Sequence, residues 1–281
     1  MTSPKTASSE AAAPEAAFSE AAAPETVAPK AAAPEAAAPE FAAPQAAAPE
    51  PAVPEAGARE AAAPRRWVAV FDLDGTLTWR DTLFPFLAGF LRRHPWRLLG
   101  LWRLPFALSS FLVQNRDRGL LKSRVIRMVM GEAPRSVIDA CADSFVDTLK
   151  PRHRLRLAGL AMLEAHRAAG DHLVLLSASP DIYVPRIGRA LGFERTLCTE
   201  IEWRGDRLAG TLKTANRRGA EKLRCLTWLR TQYPDLPIVT YGNSASDLDH
   251  MRHADRALLV NANAAARALA VQWGIPASNW T

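Results

Sequence analysis

The chain has 281 residues, 48% hydrophobic and 23% charged, with a formal net charge of +6. No run of about 18 apolar residues is free of charge, and the N-terminus lacks the apolar stretch of a secretory leader, so the expectation is a cytoplasmic protein. The three cysteines, Cys141, Cys198 and Cys225, are odd in number and lack metal-ligand spacing, which excludes a disulfide framework and a cysteine zinc site.

From Thr2 to Pro64 the sequence is almost entirely Ala, Pro and Glu in a recurring Ala-Ala-Ala-Pro-Glu unit. A proline every five residues or so removes helix donors and clashes with the preceding turn, so the alanines cannot sustain a helix. The expectation over 1–64 is a disordered tail. Nine Glu against Lys5, Lys30 and Arg59 give this tail a net charge of −6, which leaves +12 on the remainder. That balance suits a phosphorylated substrate, an anionic lipid surface or nucleic acid, or is a basic surface kept for solubility. No recognition-helix, zinc or RNA-binding signature accompanies it, so nucleic acid is not the expected partner.

Beyond the tail, Val68-Ala-Val-Phe71 is a short apolar run of the kind that forms a buried parallel strand, ending at Asp72. Thr82 to Arg116 contains no acidic residue, and interleaves Arg92, Arg93, Arg97, Arg103 and Arg116 with Phe84, Phe86, Phe90, Trp96, Trp102, Phe106 and Phe111. Helix alone is expected over 81–152, with breaks at Pro95 and Pro105. Its composition fits either a basic cap packed on its own core or a surface lying in an anionic headgroup layer. A helix is expected over 152–169, a strand over 172–176 ending at Ser177, and a hairpin turning at Gly205-Asp206. Next come a helix over 218–231, a strand over 237–241 ending at Gly242-Asn243, a strand over 257–260 and a helix over 263–271. Strands alternating with helices predict an α/β fold, a doubly wound parallel sheet with an inserted helical cap. The expected division is a core of 65–80 plus 153–281, and a cap over 81–152.

In such sheets ligands bind outside the carboxyl ends of the strands, where Asp72, Ser177 and Asn243 all fall. A strand-end carboxylate can attack phosphorus when a divalent cation offsets the charge, giving an acyl phosphate. Asp74, two residues on, lies on the same side of an extended chain and can serve as acid and then base. Gly75 permits a tight turn.

Asp72-Leu-Asp-Gly-Thr76, Ser177, Lys222 within Arg218-Gly-Ala-Glu-Lys, and Gly242-Asn-Ser-Ala-Ser-Asp247 resemble, in order, the four motifs of the haloacid dehalogenase superfamily of phosphatases. The resemblance implies catalytic roles for Asp72, Asp74, Ser177 and Lys222, phosphoryl contacts from Thr76, Ser177, Ala178 and Lys222, and Mg2+ held by Asp72, Asp74, Asn243 and Asp247. Asn243 departs from the family, which usually has Asp there; an amide oxygen still suits Mg2+ but brings no charge. Asp247 could bind the metal through water or hold Lys222. The helical insertion is similar to that of the phosphoserine-phosphatase-like branch, and closest to the phosphatidylglycerophosphatase C type. This implies a phospholipid headgroup substrate and contact of the cap with the inner face of the membrane. A soluble phosphomonoester such as phosphoserine, and a phosphate-ester binder of weak activity, are the alternatives. Oligomeric state is not legible.

Overall fold

The computed structural model describes residues 66–103, 109, 117–149 and 154–280; the expected tail over 1–64 and the break at Pro105 lie outside them. Strand β1 (Val68–Phe71) is central, and every one of its residues is buried. Side chains alternate along it, so Ala69 and Phe71 enter one core while Val68 and Val70 enter another on the opposite face. That two-sided burial is why the run is uniformly apolar.

After β1 the chain makes a wide turn at Leu73–Leu77 and then forms α1 (Leu83–Arg93), a 3-10 segment (Pro95–Arg103), α2 (Arg118–Met130) and α3 (Arg135–Leu149). Pro95 opens the 3-10 segment, so the break expected there is present. The chain then returns through α4 (Leu157–Ala168) to β2 (His172–Pro180), α5 (Val184–Ala190) and β3 (Arg195–Thr199). A hairpin of β4 (Ile201–Arg204) and β5 (Arg207–Leu212) follows, turning at Gly205-Asp206 as expected. Last come α6 (Ala220–Gln232), β6 (Ile238–Gly242), α7 (Ala245–Met251), β7 (Arg256–Val260), α8 (Ala264–Gln272) and the short β8 (Ala277–Ser278).

The six-stranded sheet runs β3-β2-β1-β6-β7-β8, and all its pairings are parallel. From β1 the chain winds outward through β2 and β3, then crosses back to β6 on the other side, so the strand order reverses beside β1. Phe71 lies in register with both Leu175 and Tyr241, which brings the three strand ends level. Helix α4 covers one face through Leu163, and α6 covers the other through Cys225, Leu226 and Leu229.

Several elements differ from the sequence reading: α4 begins at Leu157 rather than 152, and α5 and α7 were not among the expected helices. Strand β2 continues past Ser177 to Pro180, because Pro180 pairs with Thr199 after a register shift from Leu176. Strands β3 and β8 were not expected; β3 begins with the exposed Arg195 at the sheet edge, and β8 is two residues long, so neither carries a buried apolar run.

His250 of α7 is 1% exposed, and its Nδ1 has no hydrogen-bond partner. Burial, and then the Lys222 charge, push its ring down to about 3 from 6.5. Between those values the unfolded chain binds the extra proton, so stability should fall as pH drops from 6.5 toward 3, by up to about 1.4 kcal/mol per pH unit. Urea midpoints measured from pH 7 to 4.5 should show a shallower decline in His250→Gln than in the parent chain.

Candidate active site

Asp72 follows β1, and its amide donates to Tyr241 O (2.9 Å), so the residue is fixed by the neighbouring strand. Its side chain is buried. Oδ1 accepts from Lys222 Nζ at 2.6 Å and Oδ2 from Thr76 Oγ1 at 3.1 Å. The turn that returns Thr76 to Asp72 needs Gly75 at φ +82°, and a Cβ there would lie 2.0 Å from the Asn243 side-chain nitrogen. Glycine is therefore required twice, by the backbone and by Asn243.

Lys222 comes from the first turn of α6 and is 2% exposed. Its ammonium bridges Asp72 and Asp247, with Asp247 Oδ1 at 2.7 Å. Asp247 Oδ2 accepts from the Asn243 amide (3.2 Å), the Ser244 amide (3.0 Å) and Ser244 Oγ (2.7 Å). Its position in the first turn of α7 explains this set, since an acid there reaches back to the amides before the helix.

One ammonium shared by two buried carboxylates leaves one negative charge uncompensated. That charge falls on Asp72, whose carboxyl is raised by burial and by Asp247 despite Lys222. Asp247 is pushed up by burial too, but Lys222, with Ser244, holds it well below the usual carboxylate range. Lys222 itself stays charged: the two carboxylates outweigh its burial.

Asp74 Oδ1 accepts from the Thr82 amide (2.7 Å) and Thr82 Oγ1 (2.6 Å), and its Oδ2 accepts from Ser179 Oγ (2.6 Å). Burial and then Asp81 raise its carboxyl. Tyr183 Oη lies 2.9 Å from Thr82 Oγ1, and its fully buried ring packs on Phe86 of α1 and Phe145 of α3. A chain of contacts thus links the helical insertion to Asp74. Ser177 is fully buried, and its Oγ accepts from the Ser179 amide at 3.0 Å.

These groups surround a cavity of about 460 Å3, to which Asp72, Asp74, Ala178, Lys222, Asn243 and Asp247 all contribute. Thr76 and Ser177 sit behind its wall. Sequence reasoning did not single out Ser179, Thr82, Tyr183, Lys122, Arg118 or Arg218. Only Ser179 had a usable signal, since it is two residues from Ser177 on one strand and so faces the same side. The others come from separate elements.

The chain matches the haloacid dehalogenase-like hydrolase family over residues 69–252, a span that holds all but the first residue of β1, the Lys222 helix and the Asp247 helix. It belongs to that family. Protein CicA of Caulobacter vibrioides is 32% identical over 191 residues, covering 67% of this chain and 83% of that protein. Among solved structures, a protein of unknown function from Bordetella pertussis Tohama I superposes with a TM-score of 0.64 at 22% identity, over 76% of this chain and 98% of that one. A phospho-aspartyl intermediate analogue of phosphoserine phosphatase superposes with a TM-score of 0.51 at 13% identity, over 73% and 90% of the two chains. These superpositions establish a shared fold.

As a member of that family the hydrolase raises the question of a metal. No cluster of three His, Cys, Asp or Glu suited to a metal occurs among the described residues. Asp72 and Asn243 border one cavity, and the Asn243 side chain makes no hydrogen bond to a described residue. Both oxygens of Asp72, Asp74 and Asp247 already accept hydrogen bonds, so a metal would have to use their remaining lone pairs. A carboxylate and an amide oxygen, with water completing the shell, fit Mg2+ as a weakly held ion. Asn243→Asp should therefore tighten Mg2+ binding, about tenfold on the scale of one added carboxylate at a partly buried site, read by titration calorimetry without substrate.

Proposed function

We propose that the protein is a magnesium-dependent phosphomonoesterase that works through an aspartyl phosphate on Asp72, and that its substrate is a phospholipid headgroup phosphate such as phosphatidylglycerophosphate. The observation that carries the mechanism is the strand-end Asp72 carboxylate, held between Lys222 and Thr76 with Asp74 two residues on. Asp72 attacks phosphorus, and Asp74 protonates the leaving oxygen. Asp74 then takes a proton from the water that cleaves the acyl phosphate. Lys222 offsets charge on Asp72 and on the phosphoryl group, and Asp247 orients Lys222. Ser177 and the amides around Ala178 and Thr76 are assigned to the phosphoryl oxygens. Mg2+, held by Asp72 and Asn243 with Asp74 and Asp247 behind them, would offset the charge that builds on those oxygens. The structural neighbour described as a phospho-aspartyl intermediate analogue of phosphoserine phosphatase agrees with this chemistry.

The helical insertion over 81–152 is proposed as the cap that selects the substrate. Phe84 is 69% exposed, Trp96 62%, Leu99 80% and Trp102 64%, in a stretch without acidic residues. Such a surface suits the headgroup layer of an anionic membrane. No helix among the described residues is long and apolar enough to cross a bilayer. The test offers short-chain phosphatidylglycerophosphate and phosphoserine with Mg2+; faster phosphate release from phosphoserine would overturn the lipid assignment.

A further inference from the structure

We infer that Arg118, Lys122 and Arg218 form a second anion subsite in the catalytic cavity, which selects phosphomonoesters whose leaving alcohol carries another oxyanion. This rests on the phosphomonoesterase reading and adds the class of leaving group.

The cavity is lined by five cationic side chains against four carboxylates. Lys222 is already paired with Asp72 and Asp247. The guanidinium groups of Arg118, at the start of α2, and Arg218, just before α6, make no hydrogen bond or ion pair to a described residue. Their charges disfavour each other: burial, then Arg118, lowers Arg218 from its ordinary value. Guanidinium groups gathered in a concave site without a salt-bridge partner, Arg218 feeling Asp247 and Asp72 only at longer range, are suited to a bound oxyanion, which they meet with paired N–H donors.

Lys122 of α2 is anchored by neutral acceptors, donating to Ala178 O at 2.6 Å and to Asn216 Oδ1 at 2.7 Å. Thr199 Oγ1 also donates to Ala178 O, at 2.7 Å. The ammonium is thus held against β2 next to Ser177, attracted by Asp74 and Asp81 but in a salt bridge with neither. Two of the three cations come from the helical insertion and one from the sheet domain, so an anion bound among them would bridge the two. Five cations against four carboxylates leave the lining with one positive charge, and a divalent cation, if bound, would add to it, so a second oxyanion would not face a net negative site. An ammonium such as that of phosphoserine would meet like charge here, and Asp81, the acid nearest α1, already accepts from the Leu83 and Phe84 amides.

The second oxyanion could be a phosphodiester or a carboxylate, and three substrates distinguish them. Glycerol 3-phosphate has an uncharged leaving group, 3-phosphoglycerate adds a carboxylate, and short-chain phosphatidylglycerophosphate adds a phosphodiester. The full chain should prefer one of the two doubly anionic substrates in kcat/KM. Arg118→Ala and Arg218→Ala, each checked for an unchanged melting curve, should reduce that preference over glycerol 3-phosphate about tenfold or more, the scale of a lost charge-assisted hydrogen bond. An unchanged ratio, or a parent chain that favours glycerol 3-phosphate, overturns the subsite. If none of the three is hydrolysed, the phosphomonoesterase reading fails separately, and calorimetric binding of the same compounds still decides the subsite. Tighter binding of a doubly anionic compound that Arg118→Ala abolishes supports it, and equal binding of all three refutes it.

Discussion

Asp72→Asn is expected to lower phosphate release by at least about 10³-fold, because the substitution removes the nucleophile while leaving its shape. The amide can still accept from Lys222 and Thr76, so the fold should survive. A matched melting temperature would separate loss of chemistry from loss of structure. Mass spectrometry of the parent chain, quenched during turnover, should find a phosphoryl group on the peptide containing Asp72 and none in the variant. Turnover retained in Asp72→Asn would move the nucleophile elsewhere in the cavity.

Lys222→Met carries the largest expected effect on stability. Its ammonium is the charge between two buried carboxylates, with contacts of 2.6 and 2.7 Å. Removing one partner of a buried ionic group leaves the others uncompensated, which costs about 3–5 kcal/mol. Urea denaturation should show that loss, and turnover should vanish with it. The paired change Lys222→Met with Asp247→Asn should recover part of the stability and none of the activity. That separation would show that Asp247 matters to the fold chiefly through Lys222. Full stability in Lys222→Met alone would mean that water or a bound cation already offsets the carboxylates.

Much of the site was legible because its chemistry is local. Asp72, Asp74 and Gly75 lie within four residues, directly after an apolar run of the kind that forms a buried strand. Lys222 and Asp247 were legible as parts of spaced motifs, although spacing could not say that one ammonium would bridge two acids. The partners of Asp74 were not legible. Thr82 and Ser179 approach it from the start of α1 and from β2, with Tyr183 behind Thr82, and nothing in a threonine or a serine marks it as a neighbour of a carboxylate 8 or 105 residues away. The same holds for Arg118 and Arg218, which come to the cavity from separate elements.

By itself the sequence determined the parallel α/β class, the strand that ends at Asp72 and the identity of the acid, base and lysine candidates. The class and the strand follow from hydrophobic periodicity, the paired acids from their spacing after that strand, and the lysine from the resemblance to the haloacid dehalogenase motifs. Only the tertiary structure decided that β2 runs on to Pro180, that Asp247 spends both oxygens on Lys222 and its own helix start, and that Arg118, Lys122 and Arg218 share the cavity of Asp72. Those outcomes depend on strand register and on helices packed across the sheet. Contacts of that kind form between elements, and no local pattern encodes them.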